Sequence, residues 1–308
     1  MEKGKVMTRR PNSEDLPAVS ETLFLPLYAL AIESHTKGAL LCDEKAVAVA
    51  KDLDRTFATS DRKIHRLLLE RKLPKLLVTS LVLRIRYIDR QIRTYLDNEP
   101  DGIVVSLGCG LSTRRHRLDN GRVRWFDVDL PKVVALRKRY LPDTDRFHSI
   151  AGSVLDFEWM DQLPEDQGLR YFFVAEGLFM YLDKESVRRI VCALADRFPG
   201  AELLAEVASN RRARISSGRL GRGTLRRRFG LAEDVWFHSG LSTPREIEEW
   251  TEATFLGDWS CFDDNESRLG PMSFFAQWEL VRRGQYLVHY RLLPLNRARE
   301  IEDHLTRL

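Results

Sequence analysis

Two glycines and two aspartates have the types and spacing of a nucleoside-binding site. Gly108 and Gly110 follow the apolar run IVVSL at 103–107. Asp127 and Asp129 lie 19 and 21 residues after Gly108, at the end of the next strand-like run. Glycine lets the backbone approach a ligand closely, and a carboxylate at the end of the second strand can accept hydrogen bonds from ribose hydroxyls. The pattern favours a cofactor that contains a nucleoside, although the glycines would also suit a tight turn between a strand and a helix.

The residue three positions after the second glycine bears on the class of cofactor. The dinucleotide fingerprint has a third glycine there, where the helix packs on the strand and its N-terminus holds a pyrophosphate. In this sequence the position is Thr113, followed by Arg114 and Arg115. A nucleoside cofactor without pyrophosphate, such as S-adenosylmethionine, therefore fits better than a nicotinamide dinucleotide. A dehydrogenase remains a remote alternative.

Alternating strand-like and helix-like segments are predicted to position these residues. A helix is expected to begin near Pro131 and another to cover 184–198, and such alternation indicates a parallel, doubly wound sheet. We predict a further helix at 243–254, and the segment 285–308 has no assignment. The predicted strands are IVVSL (103–107), RVRWFDV (122–128), FHSIAG (147–152), LRYFFVAE (169–176), AELLAEVA (201–208), FLGDWSCF (255–262) and MSFFAQWELVRR (272–283).

The N-terminal third has a helical pattern. Residues 1 to about 15 are predicted to form a tail. The run EKAVAVAKDLDRTF has apolar residues at helical spacing after the capping candidate Asp43, and a second amphipathic run follows Pro74. Turn residues at 98–102 end this part. We therefore predict a tail and helical cap over 1–98, followed by a catalytic domain over 99–308.

Composition and charge exclude several classes of protein. The 308 residues include 49 Lys and Arg and 45 Asp and Glu, and 44% are hydrophobic, which is typical of a globular protein. No run approaches the ~20 apolar residues of a membrane helix, and the N-terminus has no apolar signal segment. Four dispersed cysteines and the absence of a Cys/His cluster predict neither disulfides nor a metal site. We expect a cytoplasmic protein that does not contact membranes.

The formal net charge of +4 is unevenly distributed. Residues 211–228 contain eight arginines and no acidic residue, so the other 290 residues sum to −4. This basic strip, residues 211–228, is compatible with a lid that meets an acidic substrate, with a solvated loop, or with nucleic-acid binding. Nucleic acid is the least favoured of these, because the strip has no aromatic residue for base stacking before Phe229.

Several motifs, in sequence order, resemble those of the leucine carboxyl methyltransferase family, in particular its bacterial O-methyltransferases of polyketide synthesis, of the tetracenomycin type. The resemblance extends over roughly residues 20–200. The motifs are SETLFLPLYALAIES (20–34), GCGLSTRRHRL (108–118), WFDVDLP (125–131), AGSVLDFEW (151–159) and AEGLFMYLDKESV (175–187).

The resemblance implies an α/β fold with a class I, Rossmann-like, mostly parallel seven-stranded sheet. It also implies an N-terminal helical extension and an insertion after the fifth strand, at about 209–243, that covers the substrate. The cofactor would be S-adenosylmethionine, with Arg84 on its carboxylate and Glu176 at its amino-acid end. The cofactor-binding residues carried over by position are Arg84, Gly108, Gly110, Asp127, Asp129, Ser153, Val154 and Glu176.

Two positions depart from the family pattern. The family usually has Asp-Leu where this sequence has Ser153 and Val154, so an adenine contact here would rely on the backbone rather than on a carboxylate. Ser112 stands where the family commonly has aspartate, which leaves a local hydrogen bond in doubt and the fold unaffected.

The expected reaction is methyl transfer to a carboxylate or hydroxyl of a small, anionic metabolite. None of the histidines suggests a general base, since His116 and His148 are expected at the surface, and this favours a carboxyl acceptor, which is already ionised at pH 7. Candidate substrate contacts are Tyr181, Arg211, Arg212 and Arg214. A nucleic-acid-associated protein acting through the basic strip and a methyltransferase for protein C-termini remain as alternatives, and the oligomeric state is left open.

Overall fold

A seven-stranded sheet organises the part of the protein that follows residue 102. The computed structural model describes residues 22–165, 168, 170–218, 236–271 and 278–295. The strands are β1 (Ile103–Leu107), β2 (Arg124–Asp129), β3 (Phe147–Ala151), β4 (Tyr171–Ala175), β5 (Glu202–Ala208), β6 (Thr254–Trp259) and β7 (Gln285–Arg291). Their order is β3-β2-β1-β4-β5-β7-β6, with β7 antiparallel to both of its neighbours and the other pairs parallel. The predicted fold class is confirmed.

Helices cover the sheet and form the N-terminal part. The helices are α1 (Phe24–Ser34), α2 (Glu44–Phe57), α3 (Lys63–Leu69), α4 (Lys75–Asn98), α5 (Arg114–Arg117), α6 (Pro131–Tyr140), α7 (Lys184–Arg197), α8 (Asn210–Ser217) and α9 (Glu279–Arg282). Short 3-10 turns occupy Glu158–Gln162, Phe179–Tyr181 and Glu246–Glu249. The side chain of Asp43 accepts the Ala46 N–H at 2.8 Å, which confirms the predicted cap of α2.

The central strands are apolar because both faces of the sheet are covered. Every residue of β1 and of β4 is buried, as expected for parallel strands between two layers of helices. In the register of the sheet, Leu107 pairs with Val128, so the loop after β1 and the end of β2 lie side by side. The carboxyl ends of β1, β2 and β4 thereby meet at one edge, where open α/β sheets bind ligands.

The N-terminal helices pack against one another and against this edge. Their apolar cluster includes Phe24, Tyr28 and Phe57, and it also takes in Leu111 from the loop after β1 and Val133 from α6. The cap is thus continuous with the apolar side chains around the glycine loop. The last helix of the cap, α4, ends at Asn98, close to the predicted start of the turn. The division of the protein into two domains there stays a prediction.

The region after β5 differs from the sequence prediction in two places. The predicted helix at 243–254 is wrong, since only the 3-10 turn Glu246–Glu249 forms and β6 begins at Thr254. Two side chains of this segment accept hydrogen bonds from backbone N–H groups instead. The Glu246 carboxylate accepts the Ser242 N–H at 2.6 Å, and Glu248 accepts the Phe255 N–H at 3.0 Å. Tertiary contacts outweigh helix propensity here.

The last strand also lies elsewhere than predicted. Within 272–283, residues 272–277 lie outside the described part of the protein and Glu279–Arg282 form the short helix α9. The strand that closes the sheet is Gln285–Arg291, in the segment without an assignment. Its sequence, QYLVHYR, is rich in strand-forming residues. A strand is therefore readable from this segment, although the preceding run, 272–283, is the one predicted to form it. None of the described helices is both long and apolar enough to cross a membrane.

Candidate active site

The glycine loop and Asp129 form one hydrogen-bonded unit. Gly108 and Gly110 have φ angles of 65° and 51°, in the left-handed region that favours glycine. The Gly110 N–H donates to Asp129 Oδ2 and the Leu130 N–H to Oδ1, both at 2.7 Å. Burial raises the pKa of Asp129 above its ordinary value, and the two N–H donors partly offset this. Asp129 lines the cavity described below, and its carboxylate has lone pairs beyond those used by these two donors.

Asp127 has a different position from the predicted one. It does not line the cavity, and its buried carboxylate accepts from Arg137 Nη2 at 2.5 Å and Arg115 Nη1 at 3.1 Å. Arg137 Nη1 also donates to the carbonyls of Gly110, at 3.1 Å, and Ser112, at 2.7 Å. Asp127 therefore supports the glycine loop through Arg137 and does not face the cofactor space. Sequence reasoning missed Arg137, although a buried arginine in an otherwise apolar helix face is a recognisable signal.

An ion-pair network contributes to the wall of the same cavity. Arg84, on α4, donates from Nη2 to Glu176 Oε1 at 2.7 Å and from Nη1 to Glu206 Oε1 at 2.8 Å. Arg114 donates from Nη2 to the second oxygen of Glu176 at 2.6 Å and from Nε to Asp89 at 2.7 Å. The structure thus brings together the two residues predicted for the methionine end, Arg84 and Glu176. The network also contains Glu206, Arg114 and Asp89, which sequence reasoning did not single out.

Glu176 and Arg84 remain charged over a wide range of pH. Burial by itself would raise the pKa of Glu176, but Arg114 and Arg84 outweigh it and lower the pKa to about 2. Burial opposes the charge of Arg84, yet Glu206 and Glu176 together raise its pKa. At neutral pH the site presents a fixed carboxylate beside fixed guanidinium groups. That donor and acceptor set matches the zwitterionic end of an amino acid.

A cavity of about 1030 Å³ lies between the sheet edge and the N-terminal helices. Its polar part is lined by Gly108, Gly110, Asp129, Ser153, Val154, Arg84 and Glu176. Its other part is apolar and comes from α1, the start of α4, the loop after β4 and α8. These side chains include Leu23, Leu25, Pro26, Leu27, Leu30, Leu76, Leu77, Leu81, Leu178, Leu182, Ile215 and Phe237. The cavity wall therefore combines charged and apolar side chains, and the two kinds adjoin at the glycine loop, where Leu178 and Leu23 lie beside Gly108 and Gly110.

Ser153 and Val154 lie in the cavity wall, after the end of β3, and their contact with adenine stays a prediction. The Ser153 hydroxyl accepts the Leu155 N–H at 3.1 Å, so it stabilises its own turn. Ser112 also lies in the cavity wall, near the glycine loop, and its carbonyl is held by Arg137.

The candidate substrate residues have different surroundings. Tyr181 lines the cavity with its ring edge-to-face against Phe237, at 5.7 Å between centroids. Burial, with a contribution from Glu206, raises the pKa of Tyr181 to about 12. All three arginines are exposed, but only Arg212 lines the cavity, and Arg211 and Arg214 do not. The remainder of the basic strip, residues 219–228, lies outside the described residues.

Comparison with known proteins identifies the family. The sequence profile of the family described as leucine carboxyl methyltransferase matches residues 26–195, more than half of the sequence. The protein belongs to the leucine carboxyl methyltransferase family. The matched region contains the glycine loop, Asp129, both sides of the Arg84–Glu176 ion pair and most of the quoted motifs. The resemblance inferred from these motifs is confirmed.

A curated relative of this family member is the tetracenomycin polyketide synthesis O-methyltransferase TcmP from Streptomyces glaucescens. The two sequences are 32% identical over 186 residues, which is 57% of this protein and 62% of the relative. The match thus spans less than two thirds of the length of that relative.

A solved structure shows the same fold at low sequence identity. A duf574 family protein from Streptomyces avermitilis has a TM-score of 0.52 at 15% identity, over 90% of this protein and 100% of that one. Magnesium protoporphyrin IX methyltransferase from Synechocystis is a more distant match, with a TM-score of 0.43 at 11% identity, over 80% and 95%. Within the described residues, no group of three or more His, Cys, Asp or Glu side chains is arranged to hold a metal ion.

Proposed function

We propose that this member of the leucine carboxyl methyltransferase family is an S-adenosylmethionine-dependent O-methyltransferase that acts on the carboxylate of a small acceptor with a largely apolar body. The observation that supports this most is the placement of Asp129 and the Arg84–Glu176 pair around one cavity. Asp129 would accept from the ribose hydroxyls, while Arg84 and Glu176 would meet the carboxylate and the ammonium of the methionine end. Bound there, S-adenosylmethionine supplies an activated methyl group on a sulfonium.

The size of the cavity supports binding of two molecules. Ligand pockets in proteins usually measure ~300–1,000 Å³, and a pocket at the upper end of that range has room for a cofactor and an acceptor together. The charged side chains of the wall match the cofactor. The apolar side chains, which include leucines and Phe237, match an acceptor that buries hydrocarbon or aromatic surface. The similarity to an O-methyltransferase of polyketide synthesis supports aromatic acids as the first acceptors to test.

The chemistry of the wall favours a carboxylate over a phenol. A phenol needs a base that removes its proton, since its pKa is near 10. None of the described lining residues is a histidine or a lysine. Tyr181 stays protonated because its pKa is about 12, and burial raises the pKa of the lining thiol Cys109 far above its ordinary value. An acceptor carboxylate arrives ionised and needs no such base.

The protein's contribution to the reaction is to hold and desolvate the acceptor. Arg212, which lines the cavity from α8, would receive the anionic group of the acceptor. The apolar wall excludes water from the acceptor oxygen, so less solvation is lost on the way to the transition state. Fixing the acceptor in line with the methyl group removes most of the entropic cost of bringing two molecules together. The Tyr181 hydroxyl, which remains a hydrogen-bond donor, can hold one carboxylate oxygen while the other attacks.

Isotope-labelled methyl transfer tests this proposal. The intact protein would be incubated with methyl-labelled S-adenosylmethionine and matched acceptors: aryl carboxylic acids, the corresponding phenols, a peptide with a C-terminal leucine, and RNA. We expect label only in the carboxylic acids, in a product that mild base hydrolyses, because esters are base-labile and aryl ethers are not. Label in the phenols, in base-stable form, would contradict the carboxyl assignment. Label in the peptide alone would favour the protein C-terminus as the acceptor.

A further inference from the structure

The side-chain amide of Gln285 is held in one orientation at the wall of the cavity. Gln285 is the first residue of β7, and it is exposed and lines the cavity. Its Nε2 donates to Glu206 Oε1 at 2.6 Å. The same carboxylate also accepts from Arg84 Nη1 and from the Gly177 N–H, both at 2.8 Å. Because a carboxylate that pairs with an arginine accepts hydrogen bonds and donates none, the nitrogen of the amide must face Glu206.

The oxygen of this amide is left for a ligand. Among the residues that the structure describes, none donates a hydrogen bond to Gln285 Oε1. Glu206 is 2% exposed and does not line the cavity, so the amide nitrogen is turned towards the buried side of the wall. The two polar atoms of an amide point in different directions from the same carbon, so the oxygen is turned away from Glu206. Gln285 can therefore offer the cavity a hydrogen-bond acceptor whose direction is set by Glu206.

Gln285 lies away from the glycine loop and beside α8. The order β1-β4-β5-β7 places β7 three positions from β1, and neighbouring strands are ~4.8 Å apart. Gln285 pairs with Ala208 at the end of β5, and the carbonyl of the preceding Gly284 accepts the Ser209 N–H at 3.2 Å. Ser209 is the N-cap of α8, the helix that carries Arg212. Gln285 is thus next to the helix proposed to receive the acceptor.

We infer that Gln285 is a specificity-determining residue, and that the acceptor is a carboxylic acid that also bears a hydroxyl group. This inference rests on the proposed function. Arg212 would hold the carboxylate, and Gln285 Oε1 would accept from the hydroxyl. An ammonium at this position would lie close to the guanidinium of Arg84, which shares Glu206 Oε1 with Gln285, so a neutral donor is favoured. An acceptor without the hydroxyl would leave the amide oxygen without a partner in the filled cavity, which weakens binding.

Kinetics with matched acceptors test this inference in the intact protein. The probes are naphthoic acids with a hydroxyl at one of several ring positions, the methoxy counterpart of each, and the unsubstituted acid. A methoxy group has no proton to donate to Gln285. Counting only base-labile ester, we expect at least one hydroxy acid to exceed both its methoxy counterpart and the unsubstituted acid in kcat/KM by roughly fivefold, the factor expected for one neutral hydrogen bond. The absence of any such preference overturns the inference.

Gln285→Met shows whether the preference depends on this side chain. Met has a similar length but no amide, and the position is exposed, so the fold should tolerate it. We expect the preference for the hydroxy acid to disappear, while kcat/KM for the unsubstituted acid changes little. Gln285→Asn, which keeps the amide on a shorter side chain, should also lose the preference. Gln162→Met is the matched control, since Gln162 is exposed and does not line the cavity, and it should retain the preference.

The affinity for S-adenosylmethionine separates this role from a purely structural one. If Gln285 acts only by holding Glu206 and Arg84, its variants will bind the cofactor more weakly and will slow the reaction of all acids alike. An unchanged preference in a folded Gln285 variant therefore overturns the inference. If the intact protein forms an ester from none of the acids, the proposed function itself is overturned.

Discussion

The guanidinium of Arg84 lies 2.7 Å from the carboxylate of Glu176, although the two residues are 92 positions apart in the sequence. One stands on the last helix of the N-terminal cap and the other follows β4, so the contact joins the cap to the sheet at the edge where ligands bind. Each side chain holds the other in place. The pair gives the methionine end of the proposed cofactor a preorganised partner for each of its two charges.

Replacement of Arg84 by Met should remove the donor for the cofactor carboxylate. We expect the Kd for S-adenosylmethionine to rise by at least about tenfold, since a hydrogen bond to a charged group contributes about 1.5–3 kcal/mol. Arg84→Lys should recover only part of this, because an ammonium lacks the planar fork. Arg93→Met, on the exposed face of the same helix, is the matched control and should bind as the intact protein does. Equal affinities in the Arg84 and Arg93 variants would refute this role.

Acid should destabilise the fold through Glu176. Its pKa is about 2 in the folded protein against an ordinary value of 4.5, so the unfolded protein takes up the proton first as pH falls. The ionised carboxylate of Glu176 therefore stabilises the folded protein by about 3 kcal/mol. This contribution is fully present above pH 4.5 and is lost as pH falls towards 2. Denaturant titrations from pH 5 to 2.5 would measure it. In Glu176→Gln the free energy of unfolding should depend less steeply on pH in this range; parallel curves for the two proteins would contradict the assignment.

His65 should make the N-terminal cap sensitive to milder acid. The ring is fully buried and stacked on Phe57 with 3.9 Å between centroids, and it lies 2.7 Å from the Ser60 hydroxyl. Burial, helped by Arg62, lowers the pKa of His65 to about 4 from 6.5. The unfolded protein therefore binds the proton first, and about 3 kcal/mol of stability is lost between pH 6.5 and 4. Tryptophan fluorescence during unfolding should show that His65→Phe flattens this dependence; an unchanged slope would count against it.

Two adjacent arginines provide a matched pair for the acceptor end. Arg212 lines the cavity and Arg211 does not, although they are neighbours on α8 with the same charge. With a carboxylic acceptor, Arg212→Met should raise its KM roughly tenfold or more, the order expected for loss of a charge-assisted contact, and leave the Kd of S-adenosylmethionine unchanged. Arg211→Met should change neither constant. Equal effects of the two substitutions would show that the strip acts only through its total charge.

The sequence was sufficient for the five parallel strands of the sheet and for the glycine loop. Strands between Ile103 and Ala208 are short apolar runs with turn residues on both sides, which is the most readable of local patterns. Asp129 was predictable because its distance from the glycines follows from the length of one strand–helix–strand unit. The family motifs predicted Arg84 and Glu176 as cofactor-binding residues. Their contact with each other could not be predicted, because they are far apart in the sequence.

The remaining features depend on contacts between distant segments. Asp127 has the same residue type as Asp129 two positions away, but its carboxylate is taken up by Arg137 and Arg115 instead of facing the cavity. The pairing of Glu206 with Arg84 joins residues 122 positions apart, and no local pattern encodes it. The 3-10 turn at Glu246–Glu249 replaces a helix because side-chain hydrogen bonds from that turn hold neighbouring backbone.

Calorimetric titration with S-adenosylmethionine tests the central claim most directly. The three proteins to compare are the intact protein, Asp129→Ala, and Asp119→Ala, in which a surface carboxylate that pairs with Arg146 is removed instead. We predict that the intact protein and Asp119→Ala bind with the same affinity, and that Asp129→Ala binds at least about tenfold more weakly, since it loses the acceptor for the ribose. Absence of binding by the intact protein, or equal affinity in the two variants, would contradict it.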